Sequence, residues 1–408
     1  MKNRQTGFSL LEVMVAAGVM LVIVGATLKG LSDAAHATQA VTLMADTQEN
    51  LRGAMNYMVR DITQAGEGIP QGGITIPNNG ATSAIARPGA VAANFPAAWT
   101  ALPAISTGFA AGVPSLTPNT VFGGPPLVGP NTDEISVMFA DNTLVDASGH
   151  WLNEYPVHVA PTATGPGCLA ANPNPAPAGS ITTVGGVTTI VFDPTCINLS
   201  TAGSSGLNPG DLLLVQTNTG CAAAGAIVGS TACDAAVPGA SMALMSVSGV
   251  TPGTNTITLL CGDAYNLNCS GQPNGTVVQL QAPAGSYTGT TITVTRLWMI
   301  SYYVSNANPF RPQIMRQINF NPATPVGDVI ENLQIFYDIL NPGSTPPALV
   351  LPSPNEAPTF AQQQYIRSAY ILICARSENP YGTNNQWFRN NLQAAISIRG
   401  LDFYNEFQ

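Results

Sequence analysis

The chain has 408 residues, of which only 9% are charged, and its formal net charge is -9 at pH 7. Nucleic-acid-binding proteins usually present a basic face, so we expect no nucleic-acid partner. The 40 glycines and 33 prolines predict many turns and loops and exclude a purely helical protein.

The N-terminus combines a basic leader with a long apolar run. Lys2 and Arg4 lie in residues 1–7, and the only charged residues of the largely apolar run 8–31 are Glu12 and Lys29. As a helix, the run spans roughly 36 Å, enough to cross a bilayer core of about 30 Å. An unpaired carboxylate held at bilayer depth costs about 2.5 kcal/mol or more, so we expect Glu12 to have a partner.

Residues 7–13, Gly-Phe-Ser-Leu-Leu-Glu-Val, resemble the processing site of type IV prepilins and type II secretion pseudopilins. The resemblance implies that a membrane-embedded aspartic prepilin peptidase cuts between Gly7 and Phe8 and methylates the new amino group of Phe8. It also implies that Glu12, the fifth mature residue, pairs with the terminal ammonium of a neighbouring subunit. Such a pair offsets the cost of burying either charge alone.

Two simpler interpretations of the N-terminus compete with this one. A secretory signal peptide would end at Ala35-His36-Ala37 and leave a chain that begins at Thr38. Its apolar region would be longer than the usual stretch of about 7–15 residues and would contain Glu12. An uncleaved single-pass anchor would leave Glu12 unexplained.

A second helical pattern follows in residues 32–66. Apolar residues recur at spacings of three, four and seven, as Met44, Leu51, Met55, Met58, Val59 and Ile62. No proline interrupts residues 8–68, so the sequence predicts one helix of about 58 residues that ends at Gly66 and Gly68. Its first half is apolar on all sides, and its second half is amphipathic. We expect the methionines to be core packing rather than ligands.

Residues 67–167 are predicted to be loop-rich, with the first strands of a globular head. Residues 70–130 favour a long loop with short strands, and residues 134–140 alternate as a strand does. Asp141, Asp146 and Glu154 could hold calcium, but their spacing lacks the dense oxygen ligands of a calcium loop. A solvated hairpin is the favoured interpretation.

Residues 168–281 are predicted to be a cysteine-containing, β-rich insertion. Residues 181–184 and 187–192 flank the dipeptide Gly185-Gly186, which suits a tight hairpin. Further strands are predicted at 211–216, 242–247, 256–260 and 276–281.

Six of the seven cysteines lie in this insertion. If the head is exported, nearby thiols are expected to form disulfides. Local pairing joins Cys168 with Cys196, Cys221 with Cys233, and Cys261 with Cys269, although six cysteines allow 15 connectivities. Zinc is disfavoured by the cysteine spacing and by the scattered His36, His150 and His158. Cys374 lies in an apolar run and is predicted to be a buried free thiol.

Residues 282–408 are predicted to form the C-terminal sheet of the head. Strands are expected at 291–304, 313–319, 329–339, 365–376 and 394–399. Residues 301–304, Arg316 and residues 329–337 resemble the head of PilW-type minor pilins. Residues 55–66, with an Arg-Asp pair before Ala-Gly, resemble the family's helix end, and residues 396–399 add a weak match.

The fold class that follows is α+β. A long N-terminal helix, transmembrane in its first half (8–31), packs through residues 32–66 on an antiparallel β-rich, pilin-like head with a β-rich insertion.

The sequence carries no familiar catalytic motif. Glu331 and Asp338, seven residues apart on a predicted strand, are expected on opposite faces, which argues against a carboxylate dyad. We therefore expect no enzymatic activity, no cofactor and no bound metal.

The leading functional hypothesis is a minor pilin of a type IV pilus, anchored in the inner membrane with its head in the periplasm and later part of the surface filament. The partners implied are prepilin peptidase, other minor and major pilins, the inner-membrane assembly platform, and lipid around residues 8–31. The alternatives are a J-type pseudopilin of type II secretion and a pilus-tip adhesin.

Overall fold

The computed structural model describes residues 9–70, 72–77, 84–90, 93–113, 131–141, 156–158, 180–184, 187–191, 199, 207–221, 236–254, 256–269, 291–308, 311–341, 348–350, 358–380 and 387–398. A long helix, α1 (Leu10–Thr63), precedes a β-rich head with antiparallel sheets. The fold is therefore α+β, as the sequence predicts.

Helix α1 is a single element of 54 residues, about 81 Å long at the usual rise of about 1.5 Å per residue. It ends at Thr63, slightly before the predicted Gly66 and Gly68. Both glycines have positive φ, 87° and 68°, a conformation that other residues adopt only with strain. The Gly66 N–H donates to the carbonyl of Met138 at 2.9 Å, so the turn that follows the helix is hydrogen-bonded to a strand of the head.

The strands of the head are numbered here in chain order. They are β1 (Ile74–Thr75), β2 (Ala86–Arg87), β3 (Ala93–Asn94), β4 (Ala101–Leu102), β5 (Ile105–Gly108), β6 (Glu134–Ala140), β7 (Pro156–His158), β8 (Ser180–Val184), β9 (Val187–Val191), β10 (Leu212–Cys221), β11 (Ala236–Ser246), β12 (Gly249–Thr251), β13 (Thr256–Leu260), β14 (Thr291–Ser305), β15 (Gln313–Ile318), β16 (Thr324–Asp328), β17 (Ile330–Asn341), β18 (Ala348–Val350), β19 (Ile366–Arg376) and β20 (Arg389–Ser397). A short helix, α2 (Phe360–Gln363), precedes β19.

The largest sheet is built around β14. Its strand order is β11-β10-β14-β15-β16, with β6 and β7 also paired to β14 and β5 paired to β6. In the middle of β14, Ile300 lies opposite Ile318 of β15 and Val137 of β6. Strand β14 is thus paired along both edges, and its Ile300, Tyr302 and Val304 share the core cluster with residues of α1.

A second antiparallel sheet, β18-β17-β19-β20, lies on the other side of the main core. Helix α1 contacts β16, β19 and β20, so it is held between the two sheets. The apolar residues shared by these elements include Leu51, Met58, Ile62, Tyr302, Ile314, Leu333 and Ile371.

The cysteine-containing region contributes strands to two sheets. Strands β10 and β11 join the sheet around β14, whereas β8, β9, β12 and β13 form a separate antiparallel sheet. Val184 pairs with Val187, which confirms the predicted hairpin around Gly185-Gly186. Most strand predictions are confirmed. Strands β7, β12, β16 and β18 were not predicted, and in β16 Pro325 and Gly327 interrupt the strand pattern. The predicted strand at 276–281 lies outside the described residues.

The helix packs on the head over a shorter length than the sequence predicts. Its buried residues begin at Thr47, and the side chain of Met44 is 43% exposed, so including Met44 in the core stripe was wrong. A periodic pattern identifies the face of a helix but not where its partner surface ends, which explains the error.

Candidate assembly helix and its junction with the head

The first turn of α1 contains a reciprocal pair of hydrogen bonds. The Glu12 N–H donates to Oγ of Ser9 at 3.2 Å, and the Ser9 N–H donates to Oε2 of Glu12 at 3.0 Å. This capping box satisfies two backbone groups that a helix N-terminus leaves without partners. Its Ser-x-x-Glu signature is visible in the sequence at residues 9–12. The carboxylate of Glu12 therefore has a local hydrogen-bond partner, although its side chain is exposed.

The first half of α1 presents apolar surface on every side. All residues from 9 to 39 are exposed, and no part of the described head covers them. Among the most exposed are Leu10 (79%), Leu21 (73%) and Val22 (73%). A continuous apolar surface of this size on a folded protein marks a membrane or protein contact. By length and composition, the helix could cross a membrane.

The second half of α1 carries a buried acid that interacts with the head. Oδ2 of Asp61 accepts hydrogen bonds from the Tyr302 hydroxyl and from Nε of Arg316, both at 2.6 Å. Nε of Arg316 also lies 3.2 Å from the Tyr302 hydroxyl. We call these three residues the junction triad.

Burial makes the junction triad sensitive to the loss of any member. The side chain of Asp61 is 3% exposed and that of Arg316 is 19% exposed. Burial, with the negative charge and hydrogen bond of Asp61, raises the pKa of Tyr302, which keeps its hydroxyl protonated as a donor. The charge of Asp61 is thus paired inside the core, where an unpaired carboxylate would be strongly unfavourable.

The triad brings together segments that, in the sequence, have only a resemblance to PilW-type minor pilins in common. Arg60 and Asp61 belong to the Arg-Asp pair at the helix end, and Tyr302 and Arg316 belong to the segments resembling the head of PilW-type pilins. The structure places Asp61, Tyr302 and Arg316 in direct contact, whereas Arg60 is exposed. Helical periodicity did not identify Asp61 as buried, because it treats charged residues as solvent-facing.

A close backbone approach fixes the same helix to β16. A Cβ added at Gly327 would lie 2.9 Å from Cβ of Ala54 and 2.9 Å from Cγ2 of Ile314. Such distances are shorter than van der Waals contact, so only glycine fits at this position without movement. Gly327 therefore sets how closely α1 approaches the sheet.

The predicted cysteine and metal sites are only partly within the described residues. Cys261 and Cys269 form a disulfide with a Cα–Cα distance of 4.3 Å. Cys221 lies in β10, and Cys168, Cys196 and Cys233 lie outside the described residues, so their pairings stay predictions.

Cys374 is a buried free thiol, as predicted. Burial and the nearby charge of Glu331 raise the pKa of the Cys374 thiol to about 12.

No group of three or more His, Cys, Asp or Glu within the described part of the chain could hold a metal ion. Asp141, considered above as a calcium ligand, instead accepts hydrogen bonds from Arg296, and Asp146 and Glu154 are not among the described residues.

Comparison with known proteins bears on the N-terminus alone. Residues 2–28 match the family model described as the prokaryotic N-terminal methylation motif. This match and the apolar helix support a type IV prepilin-like protein that is processed by prepilin peptidase and assembles with other pilins. No curated protein and no solved structure matches the chain. Gly7 and Phe8 fall in the matched segment but outside the described residues.

Proposed function

We propose that this chain is a minor pilin of a type IV pilus, cut by prepilin peptidase between Gly7 and Phe8. The observation that carries the proposal is the continuity of α1. One helix is exposed through residue 39 and largely apolar through Leu31, and the same helix is anchored in the head from Thr47 onward. A subunit built in this way can exchange lipid for neighbouring helices around its first half without changing its head.

Before assembly, the first half of α1 would lie in the inner membrane, with the head in the periplasm. The basic leader would stay on the cytoplasmic side, in agreement with the positive-inside rule. After assembly, lateral packing of apolar helices would replace lipid contacts, and the head would reach the cell surface.

Glu12 would set the axial register between subunits. Its carboxylate is held at the start of α1 by the capping box with Ser9. The methylated ammonium of Phe8 from a neighbouring subunit would supply the opposite charge in an apolar environment, where a complete ion pair is much more favourable than either ion alone. The Ser9 N–H remains available after cleavage, because Phe8 keeps its peptide bond to Ser9.

The head favours a position near the pilus tip. Its inserted strands give a bulky unit that is difficult to repeat along a helical shaft. Together with other minor pilins, the chain would prime or cap the filament. Regular spacing of this subunit along the shaft would contradict the tip assignment.

Fractionation of sheared pili tests the proposal. The wild-type chain is expected in the pilus fraction, and Glu12→Ala is expected to be processed but retained in the membrane fraction. Glu49→Gln, which changes an exposed acid on the head-bound half of α1, is the control and should behave as wild type. Equal incorporation of Glu12→Ala would contradict the role of Glu12. Recovery of the wild-type chain only with a type II secretion complex would replace the proposal with a pseudopilin.

A further inference from the structure

Helix α1 carries two opposite charges where its apolar half ends. Lys29 and Asp33 are four positions apart, and both side chains are exposed. Within the described part of the chain, neither side chain makes an ion pair. Lysine before an acid is also the less favourable order for a pair within one helix, because it opposes the helix dipole. These two charges are therefore free to contact a second molecule.

The same spacing occurs at the start of the helix. Cleavage after Gly7 would leave an ammonium group on Phe8, which is outside the described residues and four positions before Glu12. When the Phe8 ammonium of one subunit meets Glu12 of another, the two parallel helices are offset by four residues, about 6 Å. That offset also brings Lys29 of the first subunit beside Asp33 of the second, again with the cation four positions before the anion.

The two acids lie on one side of the helix. Glu12 and Asp33 are 21 positions apart, which is three heptads. A straight α-helix drifts by about 20° per heptad, so the two carboxylates are separated by about 60° around the axis and about 32 Å along it. Val19 and Ala26, at the heptad positions between them, are apolar and exposed. One neighbouring helix can therefore reach both acids while it packs on the apolar residues between them.

Loss of lipid contact explains why the second pair matters. In a bilayer, the long stem of a lysine near the end of an apolar run lets its ammonium reach the headgroups. When a helix replaces the lipid, Lys29 loses that contact, and an unpaired buried charge is strongly unfavourable. Asp33 of the offset neighbour supplies the opposite charge. An offset changed by one heptad would keep the apolar contact but would place Lys29 opposite Ala26 or Ala40.

We propose that the α1 helices of two copies of this chain pair in parallel with a four-residue offset. Phe8 and Glu12 join them at one end of the apolar half, and Lys29 and Asp33 join them at the other. The partner is a second copy because this one chain carries both members of both pairs, with the same spacing and order. The pairing rests on the proposed function, since only cleavage by prepilin peptidase frees the amine of Phe8.

Thiol crosslinking in membranes tests the offset. Two differently tagged full-length copies, one with Val22→Cys and the other with Ala26→Cys, are expressed together with prepilin peptidase and treated with a short thiol-reactive crosslinker. A four-residue offset places these two positions side by side and leaves the charges intact. The heterodimer is expected at a yield at least about fivefold above that of Val22→Cys with Val19→Cys, the matched control displaced by one heptad. Copies without added cysteines give the background.

Charge variants then test whether Lys29 and Asp33 set the offset. Lys29→Asp in both copies should reduce the crosslink by at least about fivefold, because it places two acids opposite each other. Exchange of both charges, Lys29→Asp with Asp33→Lys, should restore it, because two such copies again present opposite charges. This rescue also shows that loss of the crosslink does not come from misfolding.

Three results would overturn the pairing. They are equal crosslinking at the control position, no crosslink at either position, and failure of the exchanged charges to restore the crosslink, which would assign the contact to a different pilin. The N-terminal peptide of the same sample separates this inference from the proposed function. A chain that begins at Phe8 but gives no crosslink overturns the pairing alone, whereas a chain that retains Met1 overturns the proposed function and the pairing with it.

Discussion

The carboxylate of Asp61, near the end of α1, accepts a hydrogen bond at 2.6 Å from the hydroxyl of Tyr302, in the C-terminal part of β14, although 241 positions separate the two residues. Arg316 completes the contact from β15 with an ion pair to the same carboxylate oxygen. These bonds tie the assembly helix to the largest sheet of the head.

Asp61→Asn is expected to destabilise the head by about 2–4 kcal/mol, because it leaves the mostly buried guanidinium of Arg316 without its counter-ion. Tyr302→Phe should cost less, about 1.5–3 kcal/mol, since it removes a single hydrogen bond to a charged group. Urea unfolding of the full chain in detergent measures both values. Glu49→Gln, at an exposed position of α1, serves as the control and should change stability by less than about 0.5 kcal/mol. Wild-type stability of Asp61→Asn would show that the triad does not hold the helix.

Gly327→Ala is expected to destabilise the protein by about 1–3 kcal/mol, because the added methyl overlaps Ala54 on the helix and Ile314 on β15. Gly253→Ala is a matched control, since a Cβ there meets no atom within 4 Å. The same unfolding measurement compares the two variants. A Gly327→Ala protein as stable as the control would mean that the helix can move away from β16 at no cost.

Asp133 gives the head a specific pH dependence. Burial raises the pKa of Asp133 to about 6 from an ordinary value of 3.8, although the N–H groups of Ala110 and Ile335 oppose the shift. A carboxyl group with a raised folded-state pKa binds its proton more tightly in the native protein than in the unfolded chain. Its contribution to stability is therefore fully present below about pH 4 and is lost as the pH rises to about 6.

Asp133→Asn tests this dependence, because it removes the titrating group. The stability of wild type relative to Asp133→Asn is expected to fall by about 2 kcal/mol between pH 4 and pH 7. Gly253→Ala, which changes no titrating group, is measured at both pH values and should show no such change relative to wild type. A wild-type-minus-variant difference that is independent of pH would contradict the assigned environment of Asp133.

Peptide mapping under non-reducing conditions is expected to find Cys261 linked to Cys269. It would also test the predicted pairs of Cys168 with Cys196 and Cys221 with Cys233. Replacing both Cys261 and Cys269 with serine should lower stability by about 2 kcal/mol, as the loop that the bond closes is short.

Cys374 should react with a thiol reagent only after unfolding, because it is buried and its pKa is raised to about 12. Rapid labelling of Cys374 in the native protein would be inconsistent with its position in β19.

The local sequence pattern was enough to predict the helices and strands that have a strong hydrophobic periodicity. The alternation at residues 134–140 defined β6, and the absence of proline through residue 68 defined one long helix. The junction triad could not be derived in the same way, because Asp61, Tyr302 and Arg316 meet only through tertiary packing.

The processing site, unlike the junction triad, can be predicted from the sequence alone, because its motif does not depend on how the head packs. The most direct test of the account is therefore mass spectrometry of the intact chain and its N-terminal peptide from the membrane and pilus fractions. A mature chain that begins with N-methylated Phe8 is the predicted result. A chain that begins at Thr38, or one that retains Met1 in the pilus fraction, would contradict prepilin processing and with it the assignment as a pilin.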